Sequence, residues 1–219
     1  MAAKKRVVVF DFDGVIADSF DLHLSCWKKV LADYGASLPD AAILKGLGWR
    51  STEAARLLVK ETGIQADPAD VADKKMELFR ERAADELKPM SGASEAVKRL
   101  SDEFYVAITS SRRQDTVESA LVRFGLKDRF DLMLTTDDLG PQDELDDLLK
   151  LVFERLKVKP ADGVMVDDSR NGLLAAERAG MKSVAFDSNP KFKVDHSMAD
   201  AVINSLDELQ PELLHSVFG

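Results

Sequence analysis

Three short stretches of this 219-residue chain hold residues able to do chemistry, and each one follows an apolar run. Asp11-Phe12-Asp13-Gly14-Val15 closes the run Val7-Val8-Val9-Phe10. Carboxylates at alternate positions, where the backbone turns at a strand end, can converge on one site. Close like charges repel, so a cation is expected between them, and hard oxygen donors suit Mg²⁺. A plain strand-to-turn junction, with Asp and Gly serving turn chemistry, explains the same residues without a ligand. Thr109-Ser110-Ser111-Arg112 closes Tyr105-Val106-Ala107-Ile108. Hydroxyls and amides there can donate to phosphate oxygens, and the guanidinium adds charge. A serine-rich helix cap is the competing explanation. Asp167-Asp168-Ser169-Arg170-Asn171-Gly172 closes Gly163-Val164-Met165-Val166. This second acidic pair supplies further metal ligands, or else carboxylates favoured at a helix N-terminus.

Strands must present these residues. The runs are continuously apolar rather than alternating, which fits strands covered on both faces, as in parallel sheets. Weaker runs of the same kind span Asp131–Leu134, Ser183–Phe186 and Ala201–Ile203. Helical patterns separate them at Ser94–Leu100, Thr116–Phe124, Asp146–Leu156 and Gly172–Ala179, with Gly125 and Gly180 as helix stops. This alternation from residue 92 onward predicts a doubly wound α/β domain with its ligands beyond the carboxyl ends of the strands. Residues 19 to about 85 differ, showing helical periodicity at Leu22–Tyr34, Ser51–Glu61 and Ala69–Leu87 and no convincing strand. The expected organisation is an α/β core of residues 1–17 and 86–219 with an all-helical cap, residues 18–85, inserted into it.

Acidic, hydroxyl and acidic clusters thus end three parallel-strand candidates in chain order. DFDGV, TSS and DDSRNG resemble motifs one, two and four of the haloacid dehalogenase superfamily, over nearly the whole chain. The resemblance implies a Rossmann-like core with a helical cap. It implies a Mg²⁺-dependent phosphatase that hydrolyses small phosphomonoesters, such as sugar phosphates, through an aspartyl-phosphate. Asp11 resembles the nucleophile and Asp13 the general acid and base. Asp11 and Asp168 would bind the metal through side chains and Asp13 through its backbone carbonyl, with Asp167 assisting. Thr109, Ser110 and Arg112 would bind the phosphoryl group. Asp18-Ser19, His23, Trp27, Leu44-Lys45-Gly46, Arg50 and Lys75 resemble cap elements of the β-phosphoglucomutase and phosphoglycolate phosphatase branch. Spacing of four puts His23 and Trp27 on one helical face, where an amphipathic helix packing within the cap is the competing reading.

One departure stands out. The superfamily's third motif is a lysine, and counting back from Lys159-Pro160 places it on Asp143. No Lys or Arg occurs from Phe130 to Leu149, which leaves Lys150, Arg112 and Arg113 as substitutes. A catalytically impaired binding protein is therefore one alternative; a β-phosphoglucomutase-like mutase is the other, and the resemblance implies that it too would carry that lysine. A formal charge of −9 disfavours nucleic acid and anionic membrane partners, and Lys4-Lys5-Arg6 reads as a solvated tail. The single Cys26 excludes an internal disulfide and reads as a small buried hydrophobe. With no signal-peptide pattern and no membrane-length apolar stretch, a cytoplasmic monomer or dimer is expected.

Overall fold

The computed structural model describes residues 6–46, 49–140, 146–187 and 194–219. Asp143, where the third-motif lysine is expected, and the tail residues Lys4 and Lys5 lie outside the described residues. The chain divides into two compact units, residues 1–18 with 88–219, and residues 19–87.

Among the described residues, the strands belong to the first unit: β1 (Val7–Asp11), β2 (Ala17–Asp18), β3 (Lys88–Pro89), β4 (Tyr105–Ser110), β5 (Leu132–Thr135), β6 (Gly163–Asp167), β7 (Lys182–Phe186) and β8 (Ala201–Ile203). Six form one sheet in the order β5-β4-β1-β6-β7-β8, and every neighbouring pair is parallel. This is the doubly wound sheet expected from the apolar runs. The chain leaves β1 in both directions, toward β4 and toward β6, which makes the end of β1 a topological switch point. Val7, Val8, Val9 and Phe10 are all fully buried, so β1 has no solvent face. Fully burying each such side chain contributes about 1.5–3 kcal/mol. The short strands β2 and β3 pair antiparallel, with Asp18 opposite Lys88. That pairing keeps Asp18 with the sheet unit, and the helix Pro68–Glu86 keeps residues 86–87 with the helical one, where the sequence places the bounds at 17/18 and 85/86.

The second unit holds α1 (Phe20–Asp33), α2 (Asp40–Leu44), α3 (Ser51–Thr62) and α4 (Pro68–Glu86). Asp67 caps α4 by accepting the Ala69 amide at 2.8 Å, Pro68 occupies the first turn, and Gly63 ends α3 in the left-handed region. Its core gathers Trp27, Leu31, Ile43, Leu58 and Val71.

Among the described residues, the sheet unit carries the helices α5 (Ala93–Ser101), α6 (Gln114–Arg123), α7 (Asp147–Leu156), α8 (Arg170–Ala179) and α9 (Pro211–Phe218). Val7, Val9 and Met165 share a core cluster with Leu149 and Val152 of α7 and Ala176 of α8. Among the described residues, no helix is long and apolar enough to cross a membrane. The short α2, the short ribbon and the C-terminal α9 were not expected from periodicity.

Candidate active site

Register sets the site. Asp11 pairs with Thr109, and Phe10 pairs with Val166, so Asp11, Thr109 and Asp167 lie level near the carboxyl ends of three adjacent parallel strands. Asp13 lies in the tight turn that follows, where Gly14 and Ala17 amides donate to the carbonyls of Ala17 (2.8 Å) and Phe12 (2.8 Å) respectively. Gly14 has φ +79°, and a β-carbon there would lie 2.0 Å from Asp168 Oδ2. Turn chemistry and the approach of a second acidic pair therefore both require this glycine. Gly172 is a second close approach, because a β-carbon on it would stand 1.8 Å from Asp167 Oδ2.

Ligand atoms of Asp11, Asp167 and Asp168 lie within 4.8 Å of one another. Ser169 caps α8 by accepting the Gly172 amide at 3.1 Å, so the aspartates are released from the capping role that competed with a ligand role. Asp167 instead accepts the Ser169 amide at 2.8 Å. Burial pushes the Asp11 carboxyl well above the usual range, reinforced by the negative charges of Asp167, Asp13 and Asp168, while the Phe12 amide partly offsets this. Asp168 is raised in the same way, first by burial and then by Asp167 and Asp13. Asp167 is pushed up to about 6 by burial, against the lowering effect of its Ser169 hydrogen bonds. Clustered hard oxygens that resist carrying charge together fit a divalent cation, whose charge reverses that resistance.

The Asp13 carboxylate points to a different partner, Arg112, whose Nε donates to Asp13 Oδ2 at 2.7 Å. Thr109 and Ser110 are buried at the end of β4, and Ser110 Oγ accepts the Arg112 amide at 3.1 Å. The serines do not cap α6; its first amide, on Gln114, is taken by Asp137 Oδ2 at 2.8 Å. The other cations weighed as lysine substitutes pair elsewhere, Lys150 with Asp147 at 2.5 Å and Arg113 with Asp115 at 3.8 Å, and both side chains are about two-thirds exposed.

In the helical unit, His23 and Lys75 are buried together, with Lys75 Nζ 2.8 Å from His23 Nδ1. The His23 ring stacks on Phe79 at 4.2 Å, and the lysine head lies 5.3 Å from the Trp27 ring centroid. Trp27 itself is part of that unit's core, and Arg50 is exposed at the start of α3.

Residues 8–186 match the model of the family described as haloacid dehalogenase-like hydrolases. The chain belongs to that family. Within this haloacid dehalogenase-like group, it is 27% identical to a fructose-1-phosphate phosphatase of Escherichia coli over 81% of this chain and 94% of that one. It is 28% identical to a phosphorylated carbohydrates phosphatase of Thermotoga maritima, covering 89% and 88% of the two chains. A haloacid dehalogenase-like protein of Agrobacterium tumefaciens shares the fold at a TM-score of 0.81 and 22% identity, over 97% of this chain and 98% of that one.

Two features of this hydrolase's site escape sequence inspection. One is the need for Gly172, which was legible only as a letter in the third cluster. The other is the turn after β5, where Thr135 accepts the Asp137 amide and Asp138 accepts the Thr135 amide in a reciprocal cap. The pattern Thr135-Thr136-Asp137-Asp138 was the available signal.

Proposed function

We propose that this hydrolase is a Mg²⁺-dependent phosphatase of small phosphomonoesters, with sugar phosphates or similar compounds as substrates. The carrying observation is the convergence of Asp11, Asp167 and Asp168 within 4.8 Å at the switch point, with Thr109 level with Asp11 and Asp13 in the next turn. Asp11 attacks phosphorus and the substrate oxygen departs, taking a proton from Asp13. Asp13 then takes a proton from the water that attacks the aspartyl-phosphate, and inorganic phosphate and free Asp11 result. Splitting the transfer through a carboxylate replaces one hard step with two easier ones. The Asp11 and Asp168 carboxylates and the Asp13 carbonyl would hold Mg²⁺, with Asp167 supporting. When bound, the ion neutralises charge on the phosphoryl oxygens. Thr109 and Ser110 donate to those oxygens, while the Arg112 guanidinium faces Asp13 at 2.7 Å.

Substrate choice is assigned to the helical unit, with the buried His23–Lys75 pair and Arg50 as its polar groups. Support comes from the two phosphatases named above, one for fructose-1-phosphate and one for phosphorylated carbohydrates. The absence of Lys or Arg from Phe130 to Leu149 favours a second reading, an impaired member with weak turnover. A panel of small phosphoesters with and without Mg²⁺, run beside Asp11→Asn, separates the two. Metal-dependent release of phosphate that disappears in Asp11→Asn is expected. No turnover of any ester, or equal turnover by Asp11→Asn, refutes the proposal.

A further inference from the structure

Arg112 stands where three strand ends meet. Its amide donates to Ser110 Oγ at 3.1 Å, at the end of β4. Its carbonyl accepts from Thr136 Oγ1 at 2.9 Å and from the Thr136 amide at 3.3 Å, in the turn after β5. From this fixed backbone the side chain crosses to Asp13, in the turn after β1, and both side chains are more than four-fifths buried.

A single ion pair of this kind is a weak stabiliser, because gaining the Coulomb attraction means losing water and rotamer freedom. Four hydrogen bonds spent on one arginine make better sense as direction. A guanidinium tethered at its backbone cannot follow a wandering carboxylate, so Asp13 is drawn to one place. Proton transfer is steeply sensitive to such placement, and a displacement of about 1 Å costs roughly 10²-fold in rate.

We infer that Arg112, braced by Thr136, is a positioning residue that holds the Asp13 carboxylate where it exchanges protons with the leaving oxygen and the attacking water. This rests on the phosphatase reading above, and it gives Thr136 a role in the reaction although its own side chain is spent on the Arg112 carbonyl. It also places a cation against the acid–base group rather than on the transferred phosphoryl.

A double-mutant cycle tests the inference, using full-length protein, Mg²⁺ and p-nitrophenyl phosphate, whose good leaving group keeps Asp13→Asn measurable. Arg112→Met is expected to lower kcat by roughly 10²-fold, with Arg112→Lys recovering part of the loss. In the Asp13→Asn background, the same change should alter kcat by less than about twofold, because the group it acts through is already gone. Thr136→Val should give a smaller loss that is likewise silent in that background. Inhibition by inorganic phosphate should be unchanged throughout. Losses that multiply in the double variant, together with weaker phosphate inhibition, would make Arg112 a direct phosphate ligand and overturn the inference, as would full activity in Arg112→Met. If Arg112→Met fails to fold, Arg112→Lys and Thr136→Val carry the cycle. An inactive wild-type protein defeats the phosphatase reading itself, whereas an active one with a multiplicative cycle defeats only the role of Arg112.

Discussion

Asp167→Asn should make the metal-free protein more stable while impairing its function. The Asp167 carboxyl is nearly fully buried and pushed up to about 6 from its ordinary 3.8. That shift of about two units corresponds to about 3 kcal/mol at 1.36 kcal/mol per unit. The folded protein binds this proton more tightly than the unfolded chain does. The associated stability is therefore fully present below about pH 4 and is lost as pH rises through about 6. At pH 8 the folded wild type holds a buried charge that asparagine does not impose. The asparagine carbonyl can still accept the Ser169 amide, now 2.8 Å from Asp167 Oδ1, so the local turn survives. For a chain of this size 1 kcal/mol moves the melting temperature by roughly 2–4 °C, giving a gain of roughly 6–12 °C at pH 8 in EDTA. The gain should close by pH 4 and shrink in saturating Mg²⁺, which offsets the charge. Melting curves of both proteins from pH 4 to 8, with EDTA and with Mg²⁺, provide the measurement. Comparing the two cancels the titration of carboxylates away from the site, while Asp11 and Asp168, both raised by the Asp167 charge, are eased in the variant and add to the gain. A metal-free variant no more stable than wild type at pH 8, or one equally favoured at pH 4, refutes the buried-charge reasoning.

Gly172→Ala brings a methyl group 1.8 Å from Asp167 Oδ2, so the carboxylate must turn away. Mg²⁺ affinity, read by calorimetry, should fall by roughly 10–100-fold even though alanine is the better helix former. Asp13→Asn should lower kcat for alkyl phosphates by roughly 10²–10⁴-fold while sparing kcat/KM for p-nitrophenyl phosphate, whose leaving group needs no proton; equal losses on both would remove Asp13 from the acid role. Lys75→Met removes a cation that is almost completely buried but keeps the chain length of its side chain. Melting should fall, because the buried His23 Nδ1 loses the donor that stands 2.8 Å from it, and KM for sugar phosphates should rise; a lower melting temperature with unaltered KM would make the lysine purely structural.

The sheet and the order of its acidic strand ends were legible because burial on both faces writes itself into sequence as runs such as Val7–Phe10 and Val164–Val166. The helices flanking them were legible through their glycine stops, Gly125 and Gly180, both of which adopt positive φ. What one dimension hides is reach. Nothing in the letters tells that the Arg112 side chain crosses from β4 to the turn after β1, because a long flexible side chain has no periodicity to betray its direction. Gly172 looked like a helix residue of low propensity until Asp167 was seen against it. Trp27 could equally have faced a ligand or a core at the same helical spacing, and the packing with Leu31 and Leu58 accounts for its burial. The two-residue strands β2 and β3 fall below the length at which alternation carries a signal.

The turn after β5 explains how the core accommodates a segment without cations. Its acidic residues are spent on backbone amides, Asp138 on Thr135 at 2.8 Å and Asp137 on Gln114 at 2.8 Å. Amide hydrogen bonds stabilise both carboxylates where they stand, so neither requires a cation. The same turn offers the Thr136 hydroxyl to the Arg112 carbonyl at 2.9 Å. The end of β5 therefore acts on the site through the backbone of its neighbour rather than through a charge of its own. The positive charge enters from the segment just after β4, against Asp13, while the clustered carboxylates of Asp11, Asp167 and Asp168 are those that could hold a metal ion. Under the proposed function this division gives each charge a partner: Arg112 to the proposed acid–base group Asp13, a metal ion to the proposed nucleophile Asp11 and its neighbours. It also makes phosphoryl binding depend on the metal and on the donors at the end of β4 more heavily than it would with a lysine beside the nucleophile. Omission of Mg²⁺ should consequently weaken inhibition by inorganic phosphate as well as turnover, and phosphate that inhibits equally well in EDTA would show that a cation of the chain already performs that task.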